Sequence, residues 1–445
     1  MAGPNFAGDI DIEQITIVSS SGQVFNISEI FLECNIYQNI FRHYLECDVA
    51  INDAINLQHN IKGDSQQNIP DGFRGNEYLI ISYREKTDAA DFGQIPLKKH
   101  IFGIYEISDR ERTSEGSEVY VISGISLEAY NTSSQKINKA YGGTKGNNVS
   151  KFIESVVKEY VLDSEAEQVY TQQGFSKNVE IDETSGLDAH IIPNWSVDRT
   201  IDYFCRQADS TDHYPFYVFY EDSNGYKFKN IPKLIEDGDI DFTYSYYPFN
   251  FDTGNDVEND DQYKIVSFNT IKENNFLENL REGMFKTKSV GIDILRKKKI
   301  EKVFDYSKEQ DKFYLTQGGK YPVEVNGDPV INVDFTKFGH DTDTFFTNDT
   351  SVTPKTDISL KDRRQSYRKQ IFNNIIQVTI PGDSSKNVGE LIDLQFYIHN
   401  DIEDTKGEID KTLSGQYLIT KVRQQLTAEN LNTILECSKD SAIVT

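Results

Sequence analysis

The chain has 445 residues, with 46 Lys and Arg against 71 Asp and Glu, a formal net charge of −25 at neutral pH. At about 150 residues per domain, that length points to roughly three domains. Hydrophobic residues at 37% and charged residues at 26% are ordinary for a globular protein. The negative field argues against phosphate-backbone binding as the main task, because that needs clustered Lys and Arg.

No apolar run approaches the roughly 18 residues that a membrane helix requires. Met1–Gln14 is acidic and lacks the cationic start and apolar run of a secretory signal, so a cytoplasmic site of synthesis is expected. The 27 Phe and 25 Tyr, with many Ile and Val, favour strands.

The first predicted elements are strands at Ile10–Val18 and Ile30–Tyr37. Across Arg42–Asn52 the alternation is clean, with Leu45, Cys47, Val49 and Ile51 on one face. Further strands are expected at Tyr78–Tyr83, His100–Ile107 and Glu118–Leu127. Residues 8–128 therefore read as one antiparallel β-barrel domain.

The period then changes. Val149, Phe152, Ile153, Val156, Val157, Tyr160 and Val161 mark one face of a helix over Asn148–Leu162. A second helix is expected at Val197–Ala208, with Ser196 as its N-cap. Residues 129–212 read as a helical insertion. Strands resume at His213–Tyr220 and Tyr226–Ile231, joined at Ser223-Asn224-Gly225 as a hairpin. A short helix is expected at Asn274–Arg281, a long strand at Met284–Leu295 and a basic helix at Lys361–Phe372. Residues 306–358 read as an irregular excursion. Alternation returns at Ile376, Val378 and Ile380 and at Ile392, Leu394 and Phe396, before a closing pair at Gln416–Arg423 and Leu431–Cys437. The fold class is mainly β with α insertions (α+β). It comprises two small antiparallel β-barrel domains, 8–128 and 213–270 plus 373–440, the helical insertion, and a middle region over 271–372.

Motifs for chemistry are sparse. The seven histidines, at 43, 59, 100, 190, 213, 340 and 399, form no HExxH. His43 lies between Cys34 and Cys47, but that spacing fits no zinc motif. The four cysteines, Cys34, Cys47, Cys205 and Cys437, read as buried free thiols. Asp252, Asn255, Asp256, Glu258, Asp260 and Asp261 lack an EF-hand register and read as a solvated acidic loop, as do Asp237, Asp239 and Asp241. Gly142-Gly143-Thr144-Lys145-Gly146 has the wrong spacing for a phosphate cradle and reads as a flexible turn. With no GxSxG, Walker loop or GxGxxG after a strand, no catalytic residue, metal ligand or cofactor is assigned.

Two basic patches stand out, Arg296-Lys297-Lys298-Lys299 and Arg363-Arg364 with Arg368-Lys369. They read either as solvated faces paired to nearby acids or as docking surfaces for an acidic neighbour, including a second copy of this chain.

Several segments together carry a resemblance. They are YLECDVAINDAINLQHNIKG from Tyr44, EYLIISYR at Glu77–Arg84, ISGISLEAYNTSSQKINKAYGG at Ile122–Gly143 and NWSVDRTIDYFCRQA at Asn194–Ala208. EGMFKTKSVGIDILRKKKIEKVFDY at Glu282–Tyr306, NIIQVTIPGDSSKNVGELIDLQF at Asn374–Phe396 and LSGQYLITKVRQQL at Leu413–Leu426 follow. In this order the chain resembles the baseplate hub proteins of contractile-tailed bacteriophages, related to the hub part of type VI secretion spikes. The resemblance implies a structural, non-enzymatic role in a virion tail baseplate assembled in the host cytoplasm. It implies a homotrimer whose two barrels per subunit make a pseudo-six-fold ring. Such a ring joins a hexameric tail tube protein to a trimeric central spike protein, with wedge or other baseplate proteins as further neighbours. DNA would pass an acidic channel without specific binding. The alternatives are a receptor- or glycan-binding tail protein, or a peptidoglycan-cleaving tail enzyme.

Overall fold

The computed structural model describes residues 8–63, 71–86, 97–114, 116–142, 146–162, 164–210, 215–240, 242–246, 263–293, 298–310, 329–334, 359–398, 408–441 and 443. The acidic run from Asp252 to Asp261, Gly143 to Lys145 of the glycine turn, and most of 306–358 lie outside them.

The N-terminal part supplies seven strands: β1 (Ile10–Val18), β2 (Val24–Asn26), β3 (Phe31–Asn39), β4 (Glu46–Asp53), β5 (Tyr78–Glu85), β6 (Lys98–Ser114) and β7 (Ser117–Ser126), with a short helix α1 (Leu57–Asn60) after β4. The predicted strands are all present. The polar–apolar alternation buries Cys47, Val49 and Ile51 of β4 and leaves Glu46, Asp48 and Ala50 on the other face.

The segment after β7 carries strands as well as helices. It runs α2 (Glu128–Ser134), β8 (Lys136–Tyr141), α3 (Val149–Val156), α4 (Ser164–Gln172), β9 (Asn178–Ile181), β10 (His190–Ser196) and α5 (Val197–Gln207). Helix α3 continues as a π-helical turn over Val157–Val161, so the predicted apolar stripe is kept but its last turn is wider. Ser196 caps α5 as expected, its hydroxyl accepting from the Arg199 N–H at 3.4 Å. The hairpin follows as β11 (Tyr217–Asp222) and β12 (Gly225–Asn230), with Asp222 paired to Gly225 across the turn.

The remaining elements are α6 (Ile231–Asp237), β13 (Thr243–Tyr246), β14 (Ser267–Glu273), α7 (Phe276–Arg281), β15 (Lys286–Asp293), β16 (Lys298–Asp305), α8 (Tyr306–Glu309), β17 (Val330–Asp334), α9 (Ser359–Ile371), β18 (Asn374–Pro381), β19 (Leu391–Phe396), β20 (Gly415–Leu426) and β21 (Leu431–Lys439). Helix α8 and strand β17 give the expected irregular excursion some regular structure. Strand β17 pairs in parallel with β15, which also pairs with β16.

Most strands belong to one 13-stranded sheet, in the order β14-β18-β21-β20-β3-β4-β7-β6-β5-β1-β2, with β19 on β20 and β13 on β19. Among the described residues the ladders run on as one sheet, and further bridges join the ends of each module: Asp9 pairs with Asn430 between β1 and the β20–β21 hairpin, and Ser245 with Lys264 between β13 and the approach to β14. The architecture is mainly β with helices inserted, as the alternation predicts.

Strand β20 makes this continuity possible. Along one edge its first half pairs with β19, from Leu418 opposite Leu391 to Gly415 opposite Leu394. Its second half pairs with β3, from Lys421 opposite Asn39 to Leu426 opposite Cys34. The handover falls at Ile419 and Thr420, where the Ile40 N–H donates to the Thr420 carbonyl at 3.1 Å.

Among the described residues, three large apolar cores lie along this framework, with a small cluster of Ile101, Ala166 and Tyr170 beside them. Ile15, Ile36, Val49, Leu79, Phe102 and Ile122 fill the N-terminal core. Ile376, Val378, Leu394, Ile419, Val422 and Leu435 fill the C-terminal one. The first two cores exchange residues. Leu426 and Leu431, at the tip of the β20–β21 hairpin, pack in the N-terminal core, while Ile40 packs in the C-terminal core. Phe152, Ile153, Ile192, Ile201 and Phe204 fill the third core, together with Tyr217, Phe219, Tyr226 and Phe228 of the β11–β12 hairpin. Val218 and Tyr220 point the other way into the C-terminal core, so this hairpin serves two cores.

Candidate functional site

The junction of the modules is where sequence-distant charges converge. Lys177 Nζ lies 2.6 Å from Glu221 Oε1 and 2.7 Å from Glu128 Oε2. All three side chains are nearly closed to solvent, at 6%, 0% and 2% exposure. Tyr170 donates to Glu128 at 2.7 Å, while Ser126 and the Leu45 N–H donate to Glu221 Oε2 at 2.6 and 3.0 Å. Burial alone would lower the Lys177 pKa, but the two carboxylates outweigh it and hold it well above the usual lysine value. Burial raises the Glu221 pKa, with Lys177 opposing it. The network ties the end of β7, the start of α2, the approach to β9 and strand β11 to one point.

A second tie lies beside it. His43 Nδ1 and Nε2 stand 3.3 and 3.1 Å from Asp198 and Asp202 on α5. The Tyr44 hydroxyl donates to Thr132 at 2.7 Å and reaches Asp198 at 3.1 Å. Burial would depress the His43 pKa, but hydrogen bonds to the two carboxylates raise it to about 9. His43 thus serves a carboxylate pair rather than Cys34 and Cys47. All four cysteines are buried, and no metal-binding cluster of His, Cys, Asp or Glu occurs among the described residues.

The outer face over the β3–β20 seam forms a groove of about 450 Å³ lined by Tyr37, Arg42, Glu46, Asp48, Lys421, Arg423 and Glu436. One set of contacts crosses between modules. Arg423 reaches Glu33 at 3.1 Å and donates to Asn35 at 2.7 Å. Lys421 pairs with Glu436 at 2.8 Å, Asp48 accepts from Ser123 at 2.7 Å, and Arg42 pairs with Glu46. This is a polar sheet face whose charges are largely paired with one another.

The sequence-predicted basic residues fall in different settings. Arg296 and Lys297 lie outside the described residues, and Lys298 opens β16. Lys299 is exposed and pairs with Glu301. Arg363 meets Glu309 at 3.2 Å. Arg364 donates to the Pro215 carbonyl at 2.8 Å and also to the Arg206 carbonyl. Arg368 is exposed, its guanidinium 5.8 Å from the centre of the Phe41 ring. Lys369 pairs with Glu278 at 3.2 Å and with Glu282. The second patch therefore ties α9 to neighbouring segments, and the two patches do not come together in one described cluster. The seam residues Glu33, Asn35 and Arg423 carry no local motif and were missed, because the residues that Arg423 joins lie almost a whole chain away from it.

No family model matches the sequence, and no curated protein matches it. Solved structures do. The tail protein from Neisseria meningitidis MC58 is similar over 96% of each chain, at 11% identity and a TM-score of 0.49. A Francisella PdpA–VgrG complex, in its lidded form, is similar over 99% of this chain and 55% of the other, at 10% identity and a TM-score of 0.47. The 43 kDa tail protein of prophage MuSo2 from Shewanella oneidensis is similar over 96% of this chain and 99% of the other, at 10% identity and a TM-score of 0.52. This chain therefore shares, nearly end to end, the fold of a prophage tail protein.

Proposed function

We propose that this chain is a structural baseplate hub of a phage tail. It forms a trimeric, pseudo-six-fold ring that joins a six-fold tail tube to a three-fold central spike. The observation that carries the proposal is the continuous sheet joining an N-terminal and a C-terminal β-module through β3 and β20. A subunit with two rigidly linked β-modules presents six modules as a trimer, the geometry a symmetry adaptor needs. Likeness to a prophage tail protein over almost the whole of both chains supports the same reading.

The role is one of binding, without catalysis. The charges at the module junction are spent on holding modules together, and the seam groove presents paired charges. The net charge of −25 per copy gives a ring whose mean field repels nucleic acid, so DNA passes a central channel without sticking. Among the described residues of the two basic patches, Arg368 is exposed and able to face an acidic neighbour. Wedge or other baseplate proteins complete the surroundings in the virion tail. Native mass spectrometry tests this directly. A species at three times the 50.9 kDa chain mass supports the ring. A monomer that stays monomeric on mixing with the cognate tube and spike proteins overturns it.

A further inference from the structure

A cavity of about 470 Å³ opens on the N-terminal module. Three locally costly features meet there. Glu77 is 1% exposed, yet its Oε1 has no hydrogen-bond partner. Arg74, also lining the cavity, has buried and unpartnered Nε and Nη2 atoms. Glu77 Oε2 accepts the Arg74 backbone N–H at 3.1 Å, and among the described residues the two charged groups form no ion pair with each other. Burying atoms of charged groups without hydrogen-bond partners is costly, so folding alone does not account for such atoms of Glu77 and Arg74 meeting in one place.

The backbone around them is also strained. Gly75 and Asn76 both adopt left-handed conformations, at φ 85° and 75°, and Asn76 does so with a side chain. Opposite, β6 carries a bulge between Ile104 and Glu106 in its pairing with β7. Tyr105 is the extra residue, 52% exposed, and it lines the cavity. Bulges of this kind re-aim a side chain beside a binding site. Tyr130 forms another wall, fixed by its hydroxyl bond to the Ile104 carbonyl at 2.5 Å.

We propose that this cavity receives a cationic side chain, Lys or Arg, carried on a peptide segment of a partner protein. The cation takes the free Glu77 oxygen between aromatic walls, and a carbonyl of the same segment accepts from Arg74. Charge decides the class. Glu77 and Glu106 face the cavity against a single guanidinium, in a chain of net charge −25. Aromatic walls add cation–π attraction for the same kind of guest. The site does not depend on ring formation.

The test uses the full chain and a blocked tripeptide, acetyl-glycyl-arginyl-glycine amide, with its neutral citrulline counterpart as control. Saturation-transfer difference NMR should detect the arginine peptide, and the citrulline peptide should bind at least about tenfold more weakly, the factor that a charge-assisted hydrogen bond supplies. Glu77→Gln should abolish that preference. Tyr105→Ala, at an exposed position that tolerates truncation, should weaken the arginine peptide several-fold, which keeps the test decisive if Glu77→Gln folds poorly. Asp71→Asn, outside the cavity, should change nothing. Equal binding of the two peptides, no binding of either, or arginine binding indifferent to both cavity variants overturns the proposal.

Discussion

Lys177 and Glu221 stand 2.6 Å apart in a pocket closed to water, with Glu128 completing the group. Removing the cation leaves two carboxylates buried side by side. Lys177→Met should therefore cost about 3–5 kcal/mol, the usual penalty for breaking a buried ion pair from one side. Urea denaturation of the variant should show that loss as a lowered midpoint. Because the lysine pKa is raised in the folded state, the contribution is complete at neutral pH and fades only above the ordinary lysine range.

The His43 tie should make stability fall with rising pH. Its folded-state pKa is raised from 6.5 to about 9. Its contribution is thus complete below pH 6.5 and is lost as the pH climbs through 9. Both aspartates are about half exposed, at 46% and 52%, so screening reduces the effect to about 1–2 kcal/mol. Denaturation midpoints measured from pH 6 to 9.5 should decline in the parent chain, and His43→Gln should flatten that decline.

His100 should act in the opposite direction. It lies buried between the rings of Tyr83 and Phe102, with centroids 6.2 and 6.0 Å away. Burial, helped by Lys98 and Lys177, lowers its pKa to about 3. The unfolded chain takes up a proton near pH 6.5 and the folded chain does not, so stability drains away as the pH falls from 6.5 toward 3. The loss is at most about 1.4 kcal/mol per pH unit. Thermal melts of His100→Phe should show a shallower acid slope than the parent.

These elements differ in how readable they were. The N-terminal strands were legible because Leu45, Cys47, Val49 and Ile51 alternate with polar residues over a half-buried sheet. The π-turn at Val157–Val161 was not, since its apolar spacing also suits an α-helix. Strands β8 and β9 are short and rich in Lys, Asn and Glu, and their pairing comes from tertiary context. The β3–β20 ladder joins Cys34 to Leu426, and no local pattern announces a partner so distant. Arg364 stood in a basic run that resembled a solvated face, yet its donors are taken by backbone carbonyls.

The shared strand predicts that the two β-modules unfold together. Leu426→Ala removes a C-terminal side chain from the N-terminal core and should cost about 2–5 kcal/mol. Hydrogen exchange should then speed up by similar factors at amides of β5 and of β18. Acceleration confined to β18–β21 would show modules that are folded but uncoupled.

The central claim is that two linked β-modules per chain make a six-module ring around an open, electronegative centre. Single-particle cryo-electron microscopy of the purified chain, alone or with its spike partner, tests this most directly. The account predicts class averages with three-fold symmetry, six β-modules around the axis and a central opening. Particles of one copy, or a symmetric assembly with a solid centre, would contradict it.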